Sequence, residues 1–480
     1  MTLRISVIGI GYLGAVHAAS MAELGHEVIG LDVDRDRVAA LQAGHAPFHE
    51  PGFDELLQRG LDSGRLRFTS DYAELADADV HFLGLGTPQL ADGMGADLGH
   101  LRSAIASLTE VLPARGGAPT LVVGKSTVPA GTSRELAATL EQVDGARLMW
   151  NPEFLREGFA VQDTLVPDRL VYGVPSGDEQ DERVAMLDAV YAPILERGVT
   201  RLVMGYEAAE LVKVSANAFL ATKISFINAV AEMCEATGAD VTDVSRALGM
   251  DDRIGAKFLR AGLGFGGGCL PKDIRAFLAS AEDHGVGDAL GFLREVDAVN
   301  GRRRTRMVAL AEETLGGLEG RRITVLGAAF KPDSDDVRDS PALEVASRLR
   351  AAGARVTVTD PEALRTAQRS IPGLCTVPDT QEALRDAELV LLLTEWREYR
   401  DLDPVATADL VASPRIIDGR AVLDPQAWRE AGWEFRALGR PDSEAPEAPQ
   451  DPGSSEGPVS SDEAITPGRV LSPSGVRVPA

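Results

Sequence analysis

The chain of 480 residues holds three cysteines, only six lysines and no run of eighteen uninterrupted apolar residues. Cys234, Cys269 and Cys375 are too few for a disulfide framework and fit a reducing cytoplasm. Without a long apolar run, no membrane span is expected. The first residues, MTLRISVIGIGYLG, enter a strand at once and show neither a basic n-region nor a cleavage site. Lys plus Arg number 48 against 73 Asp plus Glu, a formal net charge of -25 that argues against nucleic-acid and anionic-membrane partners. Six lysines beside 42 arginines is a strong bias. Lysine is a compact point charge whose pKa shifts on burial, so a chain that otherwise uses Arg keeps Lys where a guanidinium does not serve. Lys125, Lys213, Lys223, Lys257, Lys272 and Lys331 therefore mark places to look, with chance survival the alternative for any single one.

What is present reads as a soluble multidomain enzyme. Hydrophobic residues make up 44% and charged residues 25%, and the length suits two or three domains. Apolar runs at 3–9, 27–32, 79–85, 120–125, 147–154 and 169–173 alternate with helical stretches. That βαβ pattern predicts a doubly wound parallel sheet over about residues 1–200. From Tyr206 to about Ala236 the helical period runs without Pro or Gly, predicting a helix long enough to connect domains or form a dimer interface. Helical patterns continue to about 315. Three more apolar strands, at 321–327, 354–361 and 387–396, predict a second, smaller α/β unit over 316–440 that lacks G-x-G-x-x-G. Residues 441–480 hold 8 of the 27 prolines and no aromatic residue, the composition of a disordered tail.

Several motifs carry chemistry. Gly9-Ile10-Gly11-Tyr12-Leu13-Gly14 follows a strand and opens a helix, the setting of a dinucleotide-binding turn. Asp32, 18 residues past Gly14, ends the second strand, where a carboxylate holds ribose hydroxyls and repels a 2′-phosphate. This favours NAD over NADP, with Arg35 and Arg37 a mild counter-indication. Gly84-Leu85-Gly86-Thr87-Pro88 reads as a further cofactor loop. In Gly264-Phe265-Gly266-Gly267-Gly268-Cys269-Leu270-Pro271-Lys272-Asp273, a thiol ends a glycine-rich turn beside an ammonium. Its thiolate should be favoured, and Asp273 can orient water or accept a proton. Cys234 and Cys375, lacking such neighbours, read as small buried hydrophobes. Lys213 and Asn217, four apart on the long helix, share a face and can form an oxyanion site, against the alternative of a solvated face. Glu153 and Thr127 lie in strand-end loops, where open α/β sheets bind ligands; a helix N-cap near Thr132 is compatible with the second. No metal is expected.

GIGYLG, GTP, STVPAGT, NPEFLREG, ELVKVSAN, FGGGCLPKD, FKPDSDDVRDSPA and DGR occur in the order of the nucleotide-sugar 6-dehydrogenases, and over about residues 1–438 the chain resembles that family. The resemblance implies two Rossmann-like doubly wound parallel-sheet domains joined by a long central helix. The domains would be an NAD-binding one (1–200), a central helical dimerising one carrying the Cys loop (201–315) and a UDP-binding one (316–440). It implies NAD as cofactor, UDP-glucose as substrate and a homodimer. Cys269 would be the nucleophile of a four-electron oxidation through thiohemiacetal and thioester. Lys213 and Asn217 would stabilise oxyanions, while Glu153, Asp273 and a water on Thr127 would handle protons. Cofactor contacts are implied for Gly9, Gly11, Tyr12, Leu13, Gly14, Asp32, Arg37, Thr87, Thr127, Lys272 and Arg338. Substrate contacts are implied for Glu153, Phe154, Leu155, Arg156, Glu157, Lys213, Asn217 and Gly266, for Lys257 and Phe258, for Lys331 and Arg420 at UDP, and for Arg253 from the partner subunit.

Gly268 and Leu270 depart from relatives that carry Ser and Phe there. The first removes a possible hydroxyl donor beside the sulfur. The second leaves GDP-mannose or another UDP-sugar as an alternative substrate. A two-electron hydroxyacid dehydrogenase is disfavoured by Cys269, which such chemistry does not need. A non-catalytic sugar-nucleotide binder is disfavoured by the presence of Cys269, Lys213, Asn217 and Glu153 together.

Overall fold

Short apolar runs form two sheets whose strand ends create the site. In the computed structural model, which describes residues 1–112 and 119–441, the first sheet holds β1 (Arg4–Ile8), β2 (Glu27–Leu31), β3 (Leu66–Thr69), β4 (Val80–Leu83), β5 (Thr120–Gly124), β6 (Ala146–Trp150), β7 (Arg169–Val174) and β8 (Thr200–Gly205). The second holds β9 (Arg322–Leu326), β10 (Arg355–Thr359), β11 (Cys375–Thr376), β12 (Leu389–Leu392), β13 (Arg415–Asp418) and β14 (Glu434–Ala437). The expected tail lies outside the described residues except for Pro441.

The spatial orders are β3-β2-β1-β4-β5-β6-β7-β8 and β11-β10-β9-β12-β13-β14, so the six C-terminal strands repeat the order of the first six. Helices cover both faces of the first sheet, and strand residues alternate between the two cores. Ile5, Val7, Phe82, Leu121 and Val123 pack on one side. Ile8, Leu83, Val122, Leu148 and Trp150 pack on the other.

The repeat extends to the turn. Gly9 N donates to Leu31 O at 2.8 Å, and Gly327 N to Thr359 O at 2.8 Å. Asp32 accepts from Ile10 N, and Asp360 from Ala328 N and Ala329 N. Asp360 also accepts Trp396 Nε1 at 3.0 Å and the N–H groups of Glu362 and Ala363. Five donors leave that carboxylate nothing for a ribose, which separates the second unit from a dinucleotide site.

The expected parallel sheet has one reversal. β6 and β7 are antiparallel, meeting only at Trp150 and Gly173, and β8 runs parallel to β7. The chain between them, including the short helix Ala160–Leu165, turns back instead of making the full crossover that a parallel pair requires. Three strands in the second sheet (β11, β13, β14) and two in the first (β3, β8) were not expected from apolar runs.

The central helix, Tyr206–Thr237, has 32 residues and spans about 48 Å. It ends at Gly238, whose φ of 77° supplies the left-handed cap. By length and mean hydropathy it would pass for a membrane span. Its polar residues Glu210, Asn217 and Asn228 are buried and hydrogen-bonded to protein groups. Its outer side exposes Phe219, Phe226 and Met233 at 66%, 55% and 63%. Cys234 packs with Ile227, Ala231 and Val241. Cys375, by contrast, is exposed on the edge strand β11, so the expectation of burial fails there.

Candidate active site

The dinucleotide turn is shaped by packing on two glycines and by open space at the third. A Cβ at Gly14 would lie 1.8 Å from Gly9 O, and one at Gly9 would lie 2.6 Å from Leu85 Cδ2. Nothing lies within 4 Å of a Cβ position at Gly11. That open side, together with a helix Tyr12–Glu23 lacking any side-chain cap, fits a pyrophosphate on the helix N-terminus. Asp32 is buried and takes Ile10 N at 3.1 Å, Asp34 N at 3.0 Å and Arg37 Nη1 at 2.8 Å. Arg37 is thus paired with the carboxylate and is not a free anion site.

The Cys loop is held from four directions. Asn228 Oδ1 accepts Gly262 N at 2.8 Å, and Asn300 grips both N and O of Phe265. Arg303, Arg304 and Arg420, all buried, donate to the carbonyls of Gly262, Phe265 and Gly264. Arg420 is thereby engaged inside the protein, with Glu395 at 3.4 Å. Gly266 lies against Asp339 O, and Gly267 N donates to Arg338 O at 2.9 Å. A Cβ at Gly268 would sit 2.2 Å from Arg338 Cζ, so the glycine makes room for that guanidinium.

Cys269 ends the loop and precedes the helix Leu270–Asp283. Asp273, one turn on, is buried; its Oδ1 takes Lys272 Nζ at 2.6 Å and its Oδ2 takes Asn217 Nδ2 at 2.6 Å. Lys272 also reaches Thr87 Oγ1 at 3.4 Å, and Thr87 donates to Thr127 O at 2.8 Å. Thr127, Val214, Lys272 and Asp273 line one narrow cavity. Cys269 is open to the cleft, yet the protein packed around its sulfur pushes the thiol up. Asp273 and Glu157 push the same way, and Lys213 and Lys272 oppose them. The expectation of a favoured thiolate therefore fails for the protein alone: burial and two carboxylates outweigh two ammoniums.

At the ends of β5 and β6, Glu153 Oε1 accepts Phe154 N at 2.8 Å and Leu155 N at 3.0 Å, and Oε2 faces Lys125 Nζ at 3.1 Å. Lys213 Nζ stands 5.4 Å and Arg169 4.1 Å from the Phe154 ring centroid. Arg156 pairs with Asp163 at 2.7 Å. Glu157 is pushed up to about 7 by burial and then by Asp336, against Arg338 and Lys331. Lys331 donates to Glu157 O at 2.7 Å, and Arg338 meets the Glu157 carboxylate at 3.2 Å. Arg338, expected at the cofactor, thus sits between Glu157, Asp336 and the Cys loop. Arg253, Lys257 and Phe258 lie on an exposed segment, Arg253 pairing with Asp251. Phe258 has a φ of 65°. Lys223 donates to the carbonyls of Ile254 and Gly255, tying that segment to the central helix.

Three residues were missed. Glu210 accepts from Gly131 N and Ser133 N at 2.7 and 2.6 Å, capping the helix Thr132–Leu140 from the central helix. Thr132 instead donates to Pro129 O, so the cap expected near it is supplied by Glu210. Glu50, buried, accepts Gly158 N and Ala160 N at 2.7 Å each and the Tyr12 hydroxyl, joining the cofactor turn to the 153–160 loop. Lys125 is the third. Only its place among the few lysines signalled it.

Family models match nearly the whole described chain. The NAD binding domain of the UDP-glucose/GDP-mannose dehydrogenase family matches residues 3–195, the central domain 207–302 and the UDP binding domain 324–425. The chain is 39% identical to a UDP-glucose 6-dehydrogenase of Rhizobium meliloti, covering 92% of this chain and 100% of that protein. It is 40% identical to one of Haloferax volcanii, covering 91% and 100%. The solved UDP-glucose dehydrogenase of Pyrobaculum islandicum superposes with a TM-score of 0.83 at 40% identity, covering 92% of this chain and 98% of that one. The chain belongs to the UDP-glucose/GDP-mannose dehydrogenase family.

Proposed function

We propose that the protein oxidises C6 of UDP-glucose to the carboxylate, giving UDP-glucuronate through a covalent intermediate on Cys269. The observation that carries this reading is Asp273, one turn past Cys269: its N–H meets Cys269 O at 2.9 Å, and its carboxylate oxygens hold the Lys272 ammonium and the Asn217 amide at 2.6 Å each. NAD, held by the Gly9–Gly14 turn, Asp32 and the Thr87 and Thr127 loops, supplies the hydride acceptor for both oxidations. The Cys269 sulfur adds to the aldehyde carbon and keeps the aldehyde from escaping. Lys213 and the amide of Asn217 stabilise the oxyanions that form there. Asp273 orients Asn217 and Lys272. Glu153 takes a proton from the water that cleaves the thioester. Residues 154–158 wrap the sugar, Lys331 and Arg420 serve the UDP side, and Lys257, Phe258 and the Arg253 of a partner subunit close the site.

The domain limits follow the same reading: 1–200 for the cofactor, 201–315 for the Cys loop and dimerisation, 316–440 for UDP. Phe219, Phe226 and Met233, exposed on one helix, support a homodimer built on that face. The acidic net charge of -25 supports a protein without nucleic-acid or membrane partners, placed in the cytoplasm, where Cys269 stays reduced.

NADH production over UDP-glucose, other UDP-sugars and GDP-mannose tests the reading. UDP-glucose with NAD should yield two NADH per sugar. One NADH with released aldehyde overturns the thioester, preference for GDP-mannose overturns the substrate, and preference for NADP overturns the role of Asp32.

A further inference from the structure

We propose that Lys125 is a positioning residue for the hydrolytic step, its buried ammonium fixing the Glu153 carboxylate so that one lone pair faces the attacking water. This rests on the reading of Glu153 as the base.

Lys125 immediately follows β5, and its side chain is 4% exposed against 14% for Glu153. The three ammonium protons have three destinations. Nζ lies 3.1 Å from Glu153 Oε2, 3.0 Å from Asn151 Oδ1 and 3.5 Å from Asn151 O, with the Phe82 ring centroid 5.9 Å away. Asn151 is itself immobilised, donating to Val171 O at 2.9 Å and accepting the Tyr191 hydroxyl at 2.9 Å. The lysine therefore stands on a rigid floor. Arg cannot replace it, because a guanidinium brings five N–H donors to a pocket with three polar acceptors.

The carboxylate has about four lone-pair directions. Phe154 N and Leu155 N occupy those of Oε1, and Lys125 occupies one of Oε2. The remaining direction on Oε2 is the only one left for water. In the step, the water oxygen bonds to the thioester carbon and its proton passes to Oε2. The C–S bond then breaks with its electron pair returning to the Cys269 sulfur, which recovers a proton. Without the ammonium, a mostly buried carboxylate loses its counter-charge and its second anchor. It then turns, and water attack slows while both oxidations, which do not use it, continue.

The test is rapid-mixing kinetics of Lys125→Met with UDP-glucose and NAD, beside Glu153→Gln. We expect kcat to fall by about 10²-fold, the cost of misplacing a catalytic group by about an ångström, and the KM for UDP-glucose to fall with it, since the steps that set kcat/KM are untouched. A burst of two NADH per site and a mass increase on Cys269 should accompany the fall. Unchanged kcat, or loss of the burst itself, overturns the proposal. Should Lys125→Met fail to fold, Lys125→Gln, of similar reach but without charge, is judged by the same burst and adduct. If Glu153→Gln accumulates the adduct and the Lys125 variant does not, only the positioning role fails. If Glu153→Gln turns over freely, the base assignment fails first.

Discussion

Asn217 Nδ2 lies 2.6 Å from Asp273 Oδ2, joining the central helix to the helix that starts after Cys269. The same carboxylate takes Lys272 on its other oxygen, and Asp273 N donates to Cys269 O at 2.9 Å. One buried side chain thus fixes an amide, an ammonium and, through the first helical turn, the sulfur. Asn217→Ala should lower kcat by about 10²–10³-fold, the usual cost of an oxyanion donor. It should also lower stability by about 1–3 kcal/mol, since Asp273 Oδ2 is left without its donor. Steady-state kinetics and urea unfolding check both, and a fall in kcat of under about tenfold would remove Asn217 from the oxyanion site.

The thiol is held above its ordinary value first by burial and then by Asp273 and Glu157, against Lys213 and Lys272. Alkylation requires thiolate, so Cys269 should react slowly near neutrality and faster as pH rises through its raised value. Glu157→Gln removes a negative neighbour and should speed the reaction. Lys213→Met removes a positive one and should slow it. Peptide mass spectrometry after iodoacetamide, with exposed Cys375 as internal reference, checks this. Cys269 outrunning Cys375 at neutral pH would contradict it.

Glu50 accepts two N–H groups of the 153–160 loop and the hydroxyl of Tyr12 in the cofactor turn. Glu50→Ala strands these donors at about 1–3 kcal/mol each, so the KM for both NAD and UDP-glucose should rise together. Tyr12→Phe, which leaves the backbone donors served, should raise them less. A change in only one KM would show that the link does not couple the two sites.

Contiguous motifs were legible. The turn at Gly9–Gly14, Asp32 and the Cys269 loop declare themselves because a few adjacent residues set their geometry. Glu50, Glu210 and Lys125 did not. Their partners lie far along the chain, 110 residues away for Glu50 and Ala160, and a lone carboxylate or ammonium in sequence says nothing of what it will meet. The reversal at β7 was hidden for a similar reason, since the residues of a strand do not encode its direction. The close approach of Arg338 to the Cys loop was likewise hidden, since it depends on the absence of a side chain at Gly268, 70 residues earlier.

Gly124 closes β5 directly before Lys125, and a Cβ there would lie 2.0 Å from Trp150 Cζ3. Trp150 is fully buried and cannot retreat. Gly124→Ala should therefore cost about 1–3 kcal/mol, read as a lower midpoint in denaturant. No loss of stability would mean that β5 and Trp150 separate easily.

Covalent catalysis at Cys269 is the central claim, and the intact mass of Glu153→Gln after mixing with UDP-glucose and NAD tests it most directly. In the proposed mechanism Glu153 takes no part in either oxidation, so the variant should stop at the thioester and gain the mass of a UDP-glucuronyl group. Peptide mapping should place that group on Cys269, and Cys269→Ser in the same background should gain nothing. A mass increase on another residue, or an active Cys269→Ser enzyme, would contradict the covalent mechanism.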